Sequence, residues 1–132
     1  MSTLNVNTIA DATGSNPVAQ EYVSRGSAKA WANLNGTGTI ALRDSLNVSG
    51  VVDNGTGDYT YSLTSNMGSG DYSAIFTGRL NTTTTNDPIH PYIHHSASAL
   101  STSSFRMRCR ISSNGALSDA EELCSTLTGD LA

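Results

Sequence analysis

The chain has 132 residues, a formal net charge of −4 and eight aromatic side chains, and Ser, Thr, Asn and Gly supply 58 of its positions. One domain of ordinary size fits this length. So small and polar a composition makes either a disordered chain or a β-fold with a thin core, and the low net charge, with aromatics set inside alternating runs, favours the β-fold. The acidic balance excludes general nucleic-acid binding, and no apolar run approaches a membrane span.

Residues 1–24 read as a first unit. Leu4, Val6 and Thr8 alternate with Asn5 and Asn7, which suits an extended strand, and Asp11-Ala12-Thr13-Gly14-Ser15-Asn16-Pro17 then breaks it with turn formers. Two readings stay open. The segment is an arm that reaches a neighbour or a socket through Leu4, Val6 and Ile9, or it is an edge strand of its own sheet. Residues 21–25 read as a polar connector with Tyr22 and Val23 as anchors. The opening has no basic region followed by an apolar core, so no secretory signal is expected. The Asn-x-Ser/Thr sequons at Asn35, Asn47, Asn54 and Asn81 are then by-products of composition.

Residues 25–132 read as one β domain. Residues 28–34 form a short strand around Trp31 that stops at Asn35-Gly36-Thr37-Gly38. Residues 39–48 alternate, with Ile40 and Leu42 opposite Thr39, Ala41 and Arg43. Asp53-Asn54-Gly55-Thr56-Gly57-Asp58 signals a tight turn, because Asn-Gly tolerates positive φ. Tyr59, Tyr61 and Leu63 then share one face. Residues 65–70 read as a loop, and residues 71–78 alternate again with Tyr72, Ala74 and Phe76 on one side. Residues 80–102 are the least regular stretch, with Pro88, Pro91 and all three histidines, and read as a long functional or mobile loop. Phe105, Met107, Cys109 and Ile111 face one way, and Arg106, Arg108 and Arg110 the other. Residues 121–127 return as the final strand, paired with that one so that Arg110 sits across from Glu122.

The string Ala28-Lys29-Ala30-Trp31, then Asn35-Gly36-Thr37-Gly38-Thr39, Arg43-Asp44-Ser45 and Asp53-Asn54-Gly55-Thr56-Gly57-Asp58-Tyr59-Thr60 resembles a segment of phage tail-fibre and virion-surface proteins, especially those of marine phages. The likeness continues more weakly through Asp71-Tyr72-Ser73 and Ser103-Ser104-Phe105-Arg106, and in the opening Leu4-Asn5-Val6-Asn7-Thr8-Ile9. The resemblance implies a place in a virion, made in a host cytoplasm, and it points to a trimer. It brings no catalytic residue.

The candidate site residues each have a plain alternative. His90, His94 and His95 lie within six residues, but an extended backbone would point His94 and His95 to opposite faces, so a solvated polar loop fits better than a metal site. With Tyr92 they are candidates for receptor contact, by stacking on sugar rings. Arg106, Arg108 and Arg110 form a positive stripe, read chiefly as salt-bridge partners within or between chains. Asp53 and Asp58 flank a turn without the ligand ladder of a calcium loop. Cys109 points inward and Cys124 outward in the expected register, so free thiols are expected. No nucleophile elbow or placed carboxylate pair is present.

These observations together predict an all-β protein, an antiparallel β-sandwich or jelly-roll-like domain with an extended N-terminal arm. Its thin core is expected to be completed between subunits of a homotrimer. The expected role is a non-enzymatic tail-fibre or spike-tip module that meets a host-surface glycan, or alternatively a capsid decoration or head-fibre protein. Neither role needs a cofactor, a metal, nucleic acid or membrane insertion; the partners expected are other copies and other virion proteins.

Overall fold

The structure is a computed structural model and describes residues 5–80, 88–96 and 99–132. Eight strands build two four-stranded antiparallel sheets that face each other across one core. The first sheet has the order β4-β3-β10-β7, from β3 (Ala28–Asn35), β4 (Ala41–Leu46), β7 (Ser73–Arg79) and β10 (Glu122–Thr128). The second has the order β5-β6-β9-β8, from β5 (Val48–Asp53), β6 (Asp58–Leu63), β8 (Ile89–Ile93) and β9 (Ser104–Ile111). The sandwich expected from alternation is therefore observed. Its hairpins β3–β4 and β5–β6 each stay within a single sheet.

Period-two alternation puts Ala30, Ala32 and Leu34 of β3 inside with Leu123 and Leu127 of β10, and they face Tyr59, Tyr61, Phe105, Met107 and Cys109 of the second sheet. Tyr61 stacks on Phe105 with ring centroids 4.5 Å apart, and Phe76 of the first sheet meets Phe105 at 6.1 Å, so aromatic contact ties the two sheets together. This core closes within one chain. Large Tyr, Phe and Met side chains fill the space that the few Leu, Ile and Val leave.

Several local expectations are corrected. The alternation of residues 39–48 is not one strand: it breaks at Asn47, whose φ of 57° turns the chain from the first sheet into the second. The Asn47 side chain holds that corner, donating to the Ser65 carbonyl at 3.0 Å and accepting from the Ser65 amide at 2.6 Å. Residues 20–26 are a short helix, α1 (Gln20–Gly26), and not a connector without structure. Glu21 in its first turn and Arg25 in its last suit the helix dipole. Residues 80–102 are not one long loop, because β8 lies within them as an edge strand, where the Pro91 nitrogen faces the open edge and costs no ladder hydrogen bond. Strands β9 and β10 do not form a hairpin; they lie in opposite sheets. Arg110 therefore does not meet Glu122, which sits opposite Arg79 and takes a hydrogen bond from it at 3.3 Å.

The N-terminal residues stand apart from both sheets. Strands β1 (Thr8–Ile9) and β2 (Val18–Ala19) form a two-stranded ribbon that leads into α1. No described residue before Ala30 is buried, and Val6, Ile9, Val18, Tyr22 and Val23 are all exposed. The ribbon is thus not an edge of either main sheet. Leu4, the third residue expected to act with Val6 and Ile9, lies outside the described residues, as does the Thr82–Thr85 tract. An Arg25–Asp130 ion pair at 3.2 Å links the helix to the end of the chain.

Candidate functional site

The outer face of the second sheet carries Asp58 and three of the chain's seven Lys and Arg residues. On β6, burying Tyr59, Tyr61 and Leu63 sends Asp58, Thr60 and Ser62 outward; on β9, burying Phe105, Met107 and Cys109 does the same for Arg106, Arg108 and Arg110. The register places Asp58 opposite Arg108 and Thr60 opposite Arg106. Arg106 donates from Nε and Nη2 to the two oxygens of Asp58 at 2.7 and 2.9 Å, and Arg108 donates from Nε to Oδ2 at 2.7 Å. Asp58 is only 3 % exposed. Burial pushes its pKa up, but the hydrogen bonds and charges of the two guanidinium groups outweigh this and bring it down to about 2. Two of the three stripe arginines are thus spent inside the chain.

His94 joins this cluster. It follows β8, is 7 % exposed, and points Nε2 at Asp58 Oδ2 from 3.9 Å. Its Nδ1 accepts the Ser96 amide proton at 3.0 Å, which fixes the neutral tautomer with the proton on Nε2. Desolvation and the neighbouring Arg106, Arg108 and His95 lower its pKa against the opposing pull of Asp58. The contact with Asp58 at neutral pH is therefore dipolar and not an ion pair. His95 stacks on His94 with centroids 4.4 Å apart, so the two rings do not point to opposite faces as an extended backbone would require.

The exposed part of the face is smaller than the sequence suggested. Arg110 lies over the Tyr92 ring at 5.2 Å, and His90 bonds to Ser112 at the end of the strand. Tyr92, Arg110, His90 and His95 together offer an aromatic surface, a cation and two imidazoles. Such a set can stack on an apolar ring face and hydrogen-bond a hydroxyl or carboxylate. Among the described residues, no group of three or more His, Cys, Asp or Glu is placed to hold a metal.

Asp58 was visible in the sequence only as a turn residue, and Asp119 was not singled out at all. Asp119 Oδ1 accepts from the Gly57 amide at 2.7 Å and from the Tyr59 hydroxyl at 2.8 Å, and that hydroxyl also lies 3.0 Å from the Gly36 carbonyl. The two Asn-Gly-Thr-Gly turns, at residues 35–38 and 54–57, thus converge on one buried tyrosine. A Cβ at Gly36 would sit 2.6 Å from the Tyr59 hydroxyl. The most recognisable part of the sequence is thus tied into the buried contacts around Tyr59.

Both thiols are free: Cys109 is buried among the core residues, where burial pushes its pKa up to about 11, and Cys124 lies on the outer face of the first sheet. Comparison with protein-family models, with curated proteins and with solved structures gave no match for this chain.

Proposed function

We propose that the chain is a non-enzymatic virion-surface module, of the tail-fibre or spike-tip kind, that joins its particle through the N-terminal ribbon and meets the host surface through the outer face of the second sheet. The observation that carries this reading is a division of labour within one chain. The sandwich closes its own core, while the N-terminal unit buries none of its described residues and leaves Val6, Ile9, Val18, Tyr22 and Val23 in water. Exposed apolar side chains gathered on a separate unit suit a segment that is covered on assembly. The resemblance of the residue 28–60 string to virion-surface proteins agrees with this.

The contact residues on this reading are Tyr92, Arg110, His90 and His95. His94, first grouped with them, is buried and holds the strand end instead. Single contacts to a glycan are weak, and repetition on a particle would raise avidity. Binding of the purified protein to host cells or to a glycan array should fall at least tenfold in a Tyr92→Ala/Arg110→Ala variant whose thermal midpoint is retained. Unchanged binding would remove the adhesive role.

The N-terminal ribbon also favours the second reading, a capsid decoration or head-fibre subunit clamped to the shell. Copy number per virion separates the two. A handful to a few dozen copies favours the tail, and hundreds favour the shell.

A further inference from the structure

Antiparallel register arranges the outward side chains of the first sheet in rows. Leu46 lies opposite Trp31, Trp31 opposite Thr126, and Thr126 opposite Ile75. One row therefore crosses all four strands with a large apolar or β-branched residue on each. Ile75 is 64 % and Leu46 48 % exposed. The adjoining row is Asp44, Asn33, Cys124 and Thr77, and beyond it Arg79 bonds to Glu122. The solvated face of an antiparallel sheet ordinarily carries polar side chains along such a row.

We propose that this face packs against the same face of a second copy of the chain. Charge is the first argument. Lys29, Arg43 and Arg79 are nearly matched on this face by Asp44 and Glu122, so a strongly acidic or basic partner finds no complement here. Symmetry is the second. A two-fold contact requires a surface complementary to itself. An axis along the apolar row sets that row upon its copy and lays the Lys29 end of one face over the Asp44 end of the other. Area is the third. Strands of six to eight residues, at ~3.3 Å per residue and ~4.8 Å between strands, give each face on the order of 400–500 Å². Two such faces bury about 1,000 Å², the lower bound for a specific interface. The pair is accordingly weak and reversible. It does not depend on the adhesive reading, since the Tyr92 face lies on the opposite sheet.

Trp31 is the chain's sole tryptophan and sits in the row, so its fluorescence reports on this contact. Sedimentation equilibrium of the full chain should show the mass rising with concentration from one chain to two, and the Trp31 emission should shift to the blue over the same range. Ile75→Lys, at an exposed position, should hold the mass at one chain and abolish the shift while circular dichroism stays unchanged; Thr126→Lys should do the same. A single-chain mass at every concentration overturns the proposal, and so does a mass of three chains. A two-chain mass that survives Ile75→Lys, or forms without an emission change, also overturns it and places the contact elsewhere. Host-cell binding by the monomeric Ile75→Lys variant, scored separately, keeps this outcome distinct from the adhesive one.

Discussion

At the scale of single residues, Asp58 shows how an exposed-looking acid becomes an anchor. Its two arginines are a third and a fifth exposed at the side chain, so water screens them in part. Removing the carboxylate still leaves two guanidinium groups side by side without a counter-charge. Breaking a buried pair costs ~3–5 kcal/mol, and partial exposure of the arginines lowers this to about 2–3 kcal/mol for Asp58→Asn, read from the urea midpoint. Arg110→Ala on β9 should cost no more than ~1 kcal/mol, because Arg110 is exposed and its contact is with the Tyr92 ring. Equal effects would mean that the stripe acts as one surface charge and not as an Asp58 anchor with one member outside it. Gly57 makes a sharper test of the motif. Its φ is 62°, and an added Cβ would lie 2.7 Å from the Cys109 carbonyl and 2.8 Å from the Ser118 amide, both backbone atoms that yield only with their strands. Gly57→Ala should therefore cost ~3 kcal/mol or leave no folded protein, whereas Gly26→Ala, which meets nothing within 4 Å, should stay within ~1 kcal/mol of the parent.

At the scale of elements, alternation along one strand was legible and partnership between strands was not. The inward and outward faces of β6 and β9 follow from Tyr59, Tyr61, Phe105, Met107 and Cys109 alone, since a period of two needs no other strand to be read. The pairing of β6 with β9 joins Asp58 to arginines 48 and 50 positions away, and nothing local announces it. Sequence adjacency favoured β9 with β10 instead, and the chain crosses between sheets at that point. Asn47 was hidden for a related reason, as a corner needs only one residue at positive φ and leaves the flanking alternation intact. Strand β10 carries a polar residue that alternation also passed over. Ser125 is buried between Leu123 and Leu127, and its hydroxyl has no hydrogen-bond partner among the described residues. A buried unpaired hydroxyl costs about 1–3 kcal/mol. Ser125→Ala should therefore stabilise the protein by ~1 kcal/mol, seen as a higher urea midpoint at unchanged slope. A loss of stability would mean that the hydroxyl is satisfied in solution.

At the scale of the whole molecule, the pH dependence of folding collects the electrostatics of the charged face. His94 is held neutral among Arg106, Arg108 and His95 with Asp58 at its far nitrogen, and its folded pKa lies below the unfolded value of 6.5. The unfolded chain thus binds the proton first, and stability rises with pH across that interval. The contribution is complete above about pH 6.5 and is lost as pH falls toward the folded value. Protonation also puts a hydrogen on Nδ1 against the Ser96 amide, so the turn after β8 must open as it occurs. Asp58 acts in a lower window: its pKa falls from 3.8 unfolded to about 2 folded, so its contribution is present above 3.8 and lost toward 2. Chemical denaturation followed from pH 8 to pH 2.5 should then show a plateau, a first decline beginning near pH 6.5 and a second below pH 4. In His94→Gln the first decline should disappear while the second remains, because Gln can still accept the Ser96 amide but takes up no proton. Persistence of the first decline in that variant would detach it from His94 and its contact with Asp58.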